Sequence, residues 1–211
     1  TGIGQGMNHC ASLVETEYIN FLHSDFYVTK NWDLELYKVH LENPNEKLWV
    51  NSLRVEPNMF KSFSRYGTVF VPEQMFGGYY NNFNKTSFEE WIEDFKQMNE
   101  PFSIPKGEGV SGMVKKSVWD EVGGNDPIFA PTSWDDHDLF LRMLQHGVRF
   151  VQPSHSLVWH FGARGSHRLE ENGGKSSTRQ IEAERKNIQN WIQKWGKLPE
   201  FDSFGMIKQF S

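Results

Sequence analysis

Apolar positions along this chain switch repeatedly between the two-residue period of strands and the three-to-four-residue period of helices. Gly2, Gly4 and Gly6 run into an amphipathic stretch that predicts a short helix over residues 7–15. Tyr18, Ile19, Phe21 and Leu22 then predict a short buried strand. Residues 31–42 set Trp32, Leu36, Val39 and Leu41 at near-helical spacing, and Pro44 with Asn45 ends that helix. A Val-, Leu- and Trp-rich run over 47–55 predicts a second strand. Residues 56–84 scatter Gly, Pro and Asn among aromatics and predict a long loop. Thr86 and Ser87 are expected to cap a helix through residue 98, with Glu89 and Glu90 in its first turn, where the dipole favours negative charge.

Downstream, residues 109–114 predict a strand and 115–122 a short helix stopped by Gly123 and Gly124. Ser133 is expected to cap a regular helix over 134–146, closed by Gly147. Strand pieces follow at 149–151 and 157–160. Residues 162–177 are polar and glycine-bearing, and a mobile segment is expected there. Residues 178–194 predict a closing helix with Ile181, Ile188, Trp191 and Ile192 on one stripe. Strands alternating with helices argue an α/β fold.

With 211 residues, one domain is favoured over two small ones. We divide it into a core over 1–168 and a C-terminal helical extension over 169–211. Aromatic residues make up 15% of the chain, including 8 Trp and 17 Phe, so the core is built from large rings, some of them candidates for sugar stacking. The net charge of −5 carries no footprint for nucleic acid. No apolar run approaches the ~20 residues of a membrane span, and no secretory apolar region is visible. A lone cysteine, Cys10, excludes an internal disulfide framework, fits a reducing, cytoplasmic setting and reads as a small buried apolar residue.

Three clusters can carry chemistry. His23-Ser24-Asp25 follows the first strand, and residues two apart project to one side, so imidazole and carboxylate can converge at the strand's carboxyl end. The triplet is either a solvated turn or a divalent-metal site. The carboxylate suits Mg2+ or Mn2+, and the imidazole tilts the choice toward Mn2+. Trp134-Asp135-Asp136-His137-Asp138 crowds three carboxylates into one helical turn, offset by ~0.3–1 kcal/mol per charge at a helix N-terminus. This is either a capping cluster or the seat of a general base, with Asp138 left to solvent, to backbone or to Arg142. His160 ends the 157–160 strand, as a third ligand or as a structural residue. The loop after it carries Arg164, His167 and Arg168, cations suited to a diphosphate.

Taken in order, these clusters interleave with Asn-Trp-Asp (31–33), Ser-Gly-Met (111–113) and Val-Gly-Gly-Asn-Asp-Pro-Ile-Phe (122–129). Over residues 4–168 the set resembles a GT-A-fold glycosyltransferase, most nearly the family 2 type. The resemblance implies a Rossmann-like mixed sheet flanked by helices. It also implies transfer of a sugar from a nucleotide-diphosphate donor to an acceptor hydroxyl, on a glycan or another molecule. Asp25, His23 and His160 would hold Mn2+ or Mg2+, with His23 standing where that family usually has an acid. Asp136 would be the catalytic base, Asp135 and Trp134 would contact the acceptor, Ser111 and Gly112 would line the cleft, and Arg164 and His167 would close over the diphosphate. The family's N-terminal strands, which hold base and ribose, are expected to precede Thr1, leaving an open sheet edge.

The leading expectation is inversion at the anomeric carbon. A His-bearing triplet with a distant third His also resembles the retaining polypeptide N-acetylgalactosaminyltransferases. Two further alternatives are a non-catalytic glycan- or nucleotide-binding remnant and a sugar-phosphate nucleotidyltransferase. The latter needs a phosphate loop for which Gly2-Ile3-Gly4-Gln5-Gly6 is a poor candidate.

Overall fold

A computed structural model describes residues 2–58, 67–105, 109, 111–162, 176–203 and 205–210. The chain is α/β, with helices flanking two mixed sheets. The first sheet contains β1 (Tyr18–Asn20), β3 (Leu48–Asn51), β6 (Ser103–Pro105), β7 (Gly112–Lys115) and β8 (Arg149–Pro153), in the order β1-β7-β3-β8-β6. The second contains β2 (Phe26–Val28), β4 (Leu53–Pro57), β5 (Thr68–Val71) and β9 (Leu157–His160), in the order β2-β9-β4-β5. In each sheet one strand pair or more runs parallel: β3 with β8, and β4 with both β5 and β9.

The helices are α1 (Ile3–Ser12), α2 (Trp32–Glu42), α3 (Glu73–Phe76), α4 (Lys85–Met98), α5 (Lys116–Val122), α6 (Asp135–Gln145) and α7 (Thr178–Trp195). Among the described residues, none is long and apolar enough to cross a membrane.

The single strand expected over 47–55 is two strands in different sheets. Ser52 is the crossing point, and its hydroxyl meets that of Ser156, where β8 passes to β9, at 2.7 Å. Gln152 donates to the Ser52 carbonyl at 3.1 Å. Backbone groups that would be orphaned at the crossing thus find side-chain partners. The connections β1 to β2, β3 to β4 and β8 to β9 all pass from the first sheet to the second, and the first of these carries His23 and Asp25.

Three apolar clusters fill the spaces around the sheets. Trp49, Phe140, Trp119 and Trp191 anchor the largest, and Trp159, Phe76 and Phe88 anchor the second. Leu36, Val39 and Val50 form the third, under α2. Burying one such ring stabilises by roughly 1.5–3 kcal/mol. Gly112 answers to this packing, because a Cβ there would sit 2.7 Å from the Trp49 ring.

Several local expectations shift. The first helix starts earlier, at Ile3, because Gln5 accepts the Gly2 N–H at 3.2 Å and Gly4 packs closely on Asn125. Cys10 is exposed rather than buried, since the inward face of α1 is Gly4 and Ala11. Leu22 is 46% exposed, because burial alternates through Ile19 and Phe21 and leaves it outside. Part of 56–84 is regular, in β5 and α3. The cap of α4 is Asn84, whose side chain accepts from Ser87 N–H at 3.1 Å. On α7 the buried face is Ala183, Asn187 and Trp191, and Ile181 is 41% exposed.

Candidate active site

His23 and Asp25 both sit on the half-buried side of the segment after β1, with Ser24 exposed between them. The alternation continues past the end of the regular strand. Antiparallel pairing of β2 with β9 sets Phe26 opposite His160, and the Phe161 N–H donates to the Asp25 carbonyl at 2.9 Å. As a result His160 Nε2 lies 3.3 Å from Asp25 Oδ2. The Phe26 ring stacks on the imidazole at 4.4 Å, with 17° between the planes. On the other side β4 runs parallel to β9, and His160 Nδ1 is 2.8 Å from Glu56 Oε1. Burial alone would lower the His160 pKa, but hydrogen bonds and charge from Asp25 and Glu56 outweigh it and raise it.

Glu56 went unpredicted. Its sequence signal was an acid on a strand position flanked by Val55 and Pro57, inside a stretch whose expected structure was a loop.

His23 behaves in the opposite way. Burial lowers its pKa, with His160 adding to the effect, against the attraction of Asp25 and Asp136. Its Nε2 is buried without a hydrogen-bond partner among the described residues. Its backbone N–H points at the hydroxyl of buried Ser111, 3.4 Å away. Ser111 therefore borders the strand-end cluster, whereas Gly112 lies within β7 and against Trp49.

Of the α6 carboxylates, Asp136 reaches this cluster electrostatically, since it and His23 feel each other's charge. The expected cap, Ser133, is not the N-cap of α6. Trp134 is, in a left-handed conformation at φ 68°, and Ser133 is also left-handed at φ 77°. Two consecutive non-glycine residues in this region carry strain of order 1–3 kcal/mol each. The turn is held from α7. Asn187 Nδ2 reaches the carbonyls of Phe129 at 2.6 Å, Thr132 at 2.7 Å and Ser133 at 3.1 Å, and Gln180 donates to the Ser133 hydroxyl at 2.7 Å. Trp134 packs between His137 at 5.3 Å and Trp191 at 5.9 Å.

Behind this turn the three acids separate. Asp138 is fully buried. Its Oδ2 accepts from Arg142 Nε at 2.9 Å, and its Oδ1 takes Trp195 Nε1 at 2.9 Å and Lys194 Nζ at 2.7 Å. Asp136 Oδ1 takes the His137 N–H at 2.8 Å and faces its Nδ1 at 2.9 Å. Burial opposes ionisation of Asp136, yet His137 and the more distant His23 hold it below the usual carboxylate range. Asp135 is pushed up to about 7 by burial first and then by the charge of Asp136, with backbone N–H groups and His137 opposing. The two form a coupled unit that loses its second proton near neutral pH.

Asp25, His23 and His160 were expected to hold Mn2+ or Mg2+. Among the described residues, no group of three or more His, Cys, Asp or Glu side chains is arranged to hold a metal ion. The Asp25–His160 separation of 3.3 Å is close to the ~3 Å between neighbouring ligands on an ion with ~2.1 Å bonds. Two imidazoles and one carboxylate also suit a borderline divalent ion, and the His23 nitrogen is buried with no partner among the described residues. The donors fit such an ion in kind, and the Asp25–His160 pair fits it in spacing, but His23 does not close the set.

Arg164, His167 and Arg168, expected to grip the diphosphate, lie outside the described residues. A separate open cavity of about 540 Å³ is lined by Glu73, Met75, Phe76, Asn82 and neighbours. Its lining includes none of these clustered residues, although Phe76 touches Trp159, next to His160, at 5.7 Å. Among known proteins, no family model and no curated sequence matches the chain.

Proposed function

We propose that this chain is a GT-A-fold glycosyltransferase that moves a sugar from a nucleotide-diphosphate donor to an acceptor hydroxyl with inversion. The observation that carries the reading is the position of His23. The charges of Asp25 and His160 on the sheet side and of Asp136 on α6 all bear on its protonation, which supports a strand-end cation site beside a helix-borne base. Motif order along the chain supports the same reading.

In this mechanism the acceptor hydroxyl attacks the anomeric carbon from the face opposite the leaving group. Its oxygen bonds to that carbon as the carbon–oxygen bond to the diphosphate breaks. Its proton passes to the Asp135–Asp136 pair. Asp136 alone is a weak base because His137 stabilises its ionised form. The pair, with its upper pKa near 7, is better matched to neutral pH. Asp25 and His160, with His23 beside them, are the residues that would hold Mn2+ or Mg2+, which would stabilise the departing diphosphate. Ser111 keeps the His23 segment in register with β7, and Asn187 keeps the Asp135 turn in its strained form. A cytoplasmic setting, suggested by the single cysteine, belongs to the same reading.

The test is transfer from a panel of nucleotide sugars, with the product's anomeric configuration read by NMR. Asp136→Asn is expected to abolish transfer while donor binding persists, and unchanged transfer would overturn the base. Retention of configuration would keep the fold and replace the mechanism. One observation favours a second reading, a non-catalytic glycan- or nucleotide-binding remnant: Asp25 is already paired with His160. Donor binding without turnover under any metal condition would select it.

A further inference from the structure

We propose that the open cavity between α3 and the turn that follows it is a binding site for a neutral sugar. The site deepens the glycosyltransferase reading and rests on it only for the sugar's use, as acceptor.

The loop that walls the cavity is closed on itself. Gly77 ends α3 at φ 91°, a backbone conformation that side chains rarely adopt, and its N–H donates to the Glu73 carbonyl at 2.8 Å. Any side chain there would strike the Asn82 carbonyl. The Asn84 N–H donates back to the Phe76 carbonyl at 2.7 Å, so the two ends of the loop meet. Compact loops with joined ends are frequently functional. Within this one, the Tyr79 N–H donates to Asn82 Oδ1 at 2.8 Å, and at its exit the Ser87 N–H donates to Asn84 Oδ1 at 3.1 Å. A backbone N–H can only donate, so these bonds fix which end of each amide is oxygen. Nδ2 is left as the end that meets a ligand, and among the described residues neither Nδ2 has a partner.

What this frame offers is chemically narrow. Its volume of about 540 Å³ falls within the ~300–1,000 Å³ of small-molecule sites. Asn82 and Asn84 bring donors, the Glu73 carboxylate brings acceptors, and the Gln74 amide brings both. A sugar hydroxyl both gives and accepts a hydrogen bond, so neighbouring hydroxyls on one ring match that mixture. Among the described residues, no Lys, Arg or His lines the cavity, which disfavours a phosphate or carboxylate ligand. Apolar surface is at hand for the C–H faces of a sugar. Met75 in the lining is 42% exposed, and Tyr80, on the same turn as Asn82, is 89% exposed. A ring so open contributes little to the core and is available to stack. Phe76 joins this cavity to the strand-end cluster through its contact with Trp159.

The test is a titration of the full chain, without donor or metal, with glucose, galactose, N-acetylglucosamine, cellobiose and lactose, followed by 15N–1H correlation. At least one sugar is expected to give saturable shifts at the Asn82 and Asn84 side-chain amides and at the Gly77 N–H. Glu73→Gln and Gln74→Ala should each weaken that binding about tenfold. The site is overturned if no sugar gives saturable shifts there, if glycerol gives the same shifts at equal concentration, or if both folded variants bind as the wild type does. Transfer assays separate the two ideas. Sugar bound at Asn82 and Asn84 in a chain that transfers none sustains the site and sinks the glycosyltransferase reading. Transfer with an acceptor KM unchanged in both variants does the reverse.

Discussion

Two groups of charge, one centred on a fully buried acid and one partly exposed, flank the start of α6, and they are built on opposite principles. Around Asp138, two acids (Asp126 and Asp138) face two bases (Arg142 and Lys194), so the group is neutral. Both oxygens of Asp138 are satisfied. Around His23, the acids Asp25, Glu56, Asp135 and Asp136 outnumber the histidines His23, His137 and His160. There, like charges adjoin, one carboxyl is driven up to about 7, and a buried imidazole nitrogen lacks a partner among the described residues. A cluster that only holds a fold minimises its electrostatic energy. One that keeps surplus negative charge and an idle donor is suited to taking a cation and a proton. The two lie within one helical turn of each other, on Asp136 and Asp138.

The comparison breaks most clearly by mutation at those two positions. Asp138→Ala leaves Arg142 and Lys194 without their buried partner and should destabilise the chain by about 3–5 kcal/mol in urea unfolding. Asp136→Asn, partly exposed, should shift stability by about 1 kcal/mol or less and yet remove transfer. If both variants unfold alike, the division between clasp and site fails.

Asn187→Ala tests the link between the two regions. It strips hydrogen bonds from the carbonyls of Phe129, Thr132 and Ser133 and should cost about 1–3 kcal/mol. It should also lower kcat more than it raises KM, because the strained turn that aims Asp135 and Asp136 is freed.

A smaller effect is expected in the pH profile. Transfer should rise as pH increases through about 7, as the Asp135–Asp136 pair loses its second proton. Asp135→Asn should move that limb to lower pH, and an unmoved limb would assign it elsewhere.

The smallest effect concerns stability. The folded-state pKa of His23 is depressed, so its contribution is present above the ordinary value of ~6.5 and lost as pH falls. His160 is raised, so its contribution is present below ~6.5 and lost as pH climbs through its folded value. His23→Gln should therefore flatten the acid side of the stability curve and His160→Gln the neutral side, in unfolding series from pH 5 to 8.

Much of the site was readable one residue at a time. The i, i+2 logic that placed His23 and Asp25 on one side holds, because burial alternates beyond the strand end. The acid-rich start of α6 was legible too, but the division of labour within it was not. Asp138 is a clasp only because α7 brings Lys194 and Trp195 to it from more than fifty residues away. Ser133 looked like a cap by residue type. Gln180 and Asn187 take up its hydroxyl and carbonyl instead, and Trp134 adopts the capping backbone.

Periodicity and chain order alone determined the α/β alternation, most helices to within a few residues, and where the His- and Asp-bearing segments lie relative to those elements. These depend on contacts between near neighbours, which a linear pattern encodes. Tertiary structure decided that residues 47–55 divide between two sheets at Ser52, that Glu56 stands beside His160, and that the pKa values of Asp135 and Asp136 are driven in opposite directions. Each of these depends on strand register or on burial by distant elements. Hydrogen bonding and desolvation act across space, between residues the chain separates by more than a hundred positions.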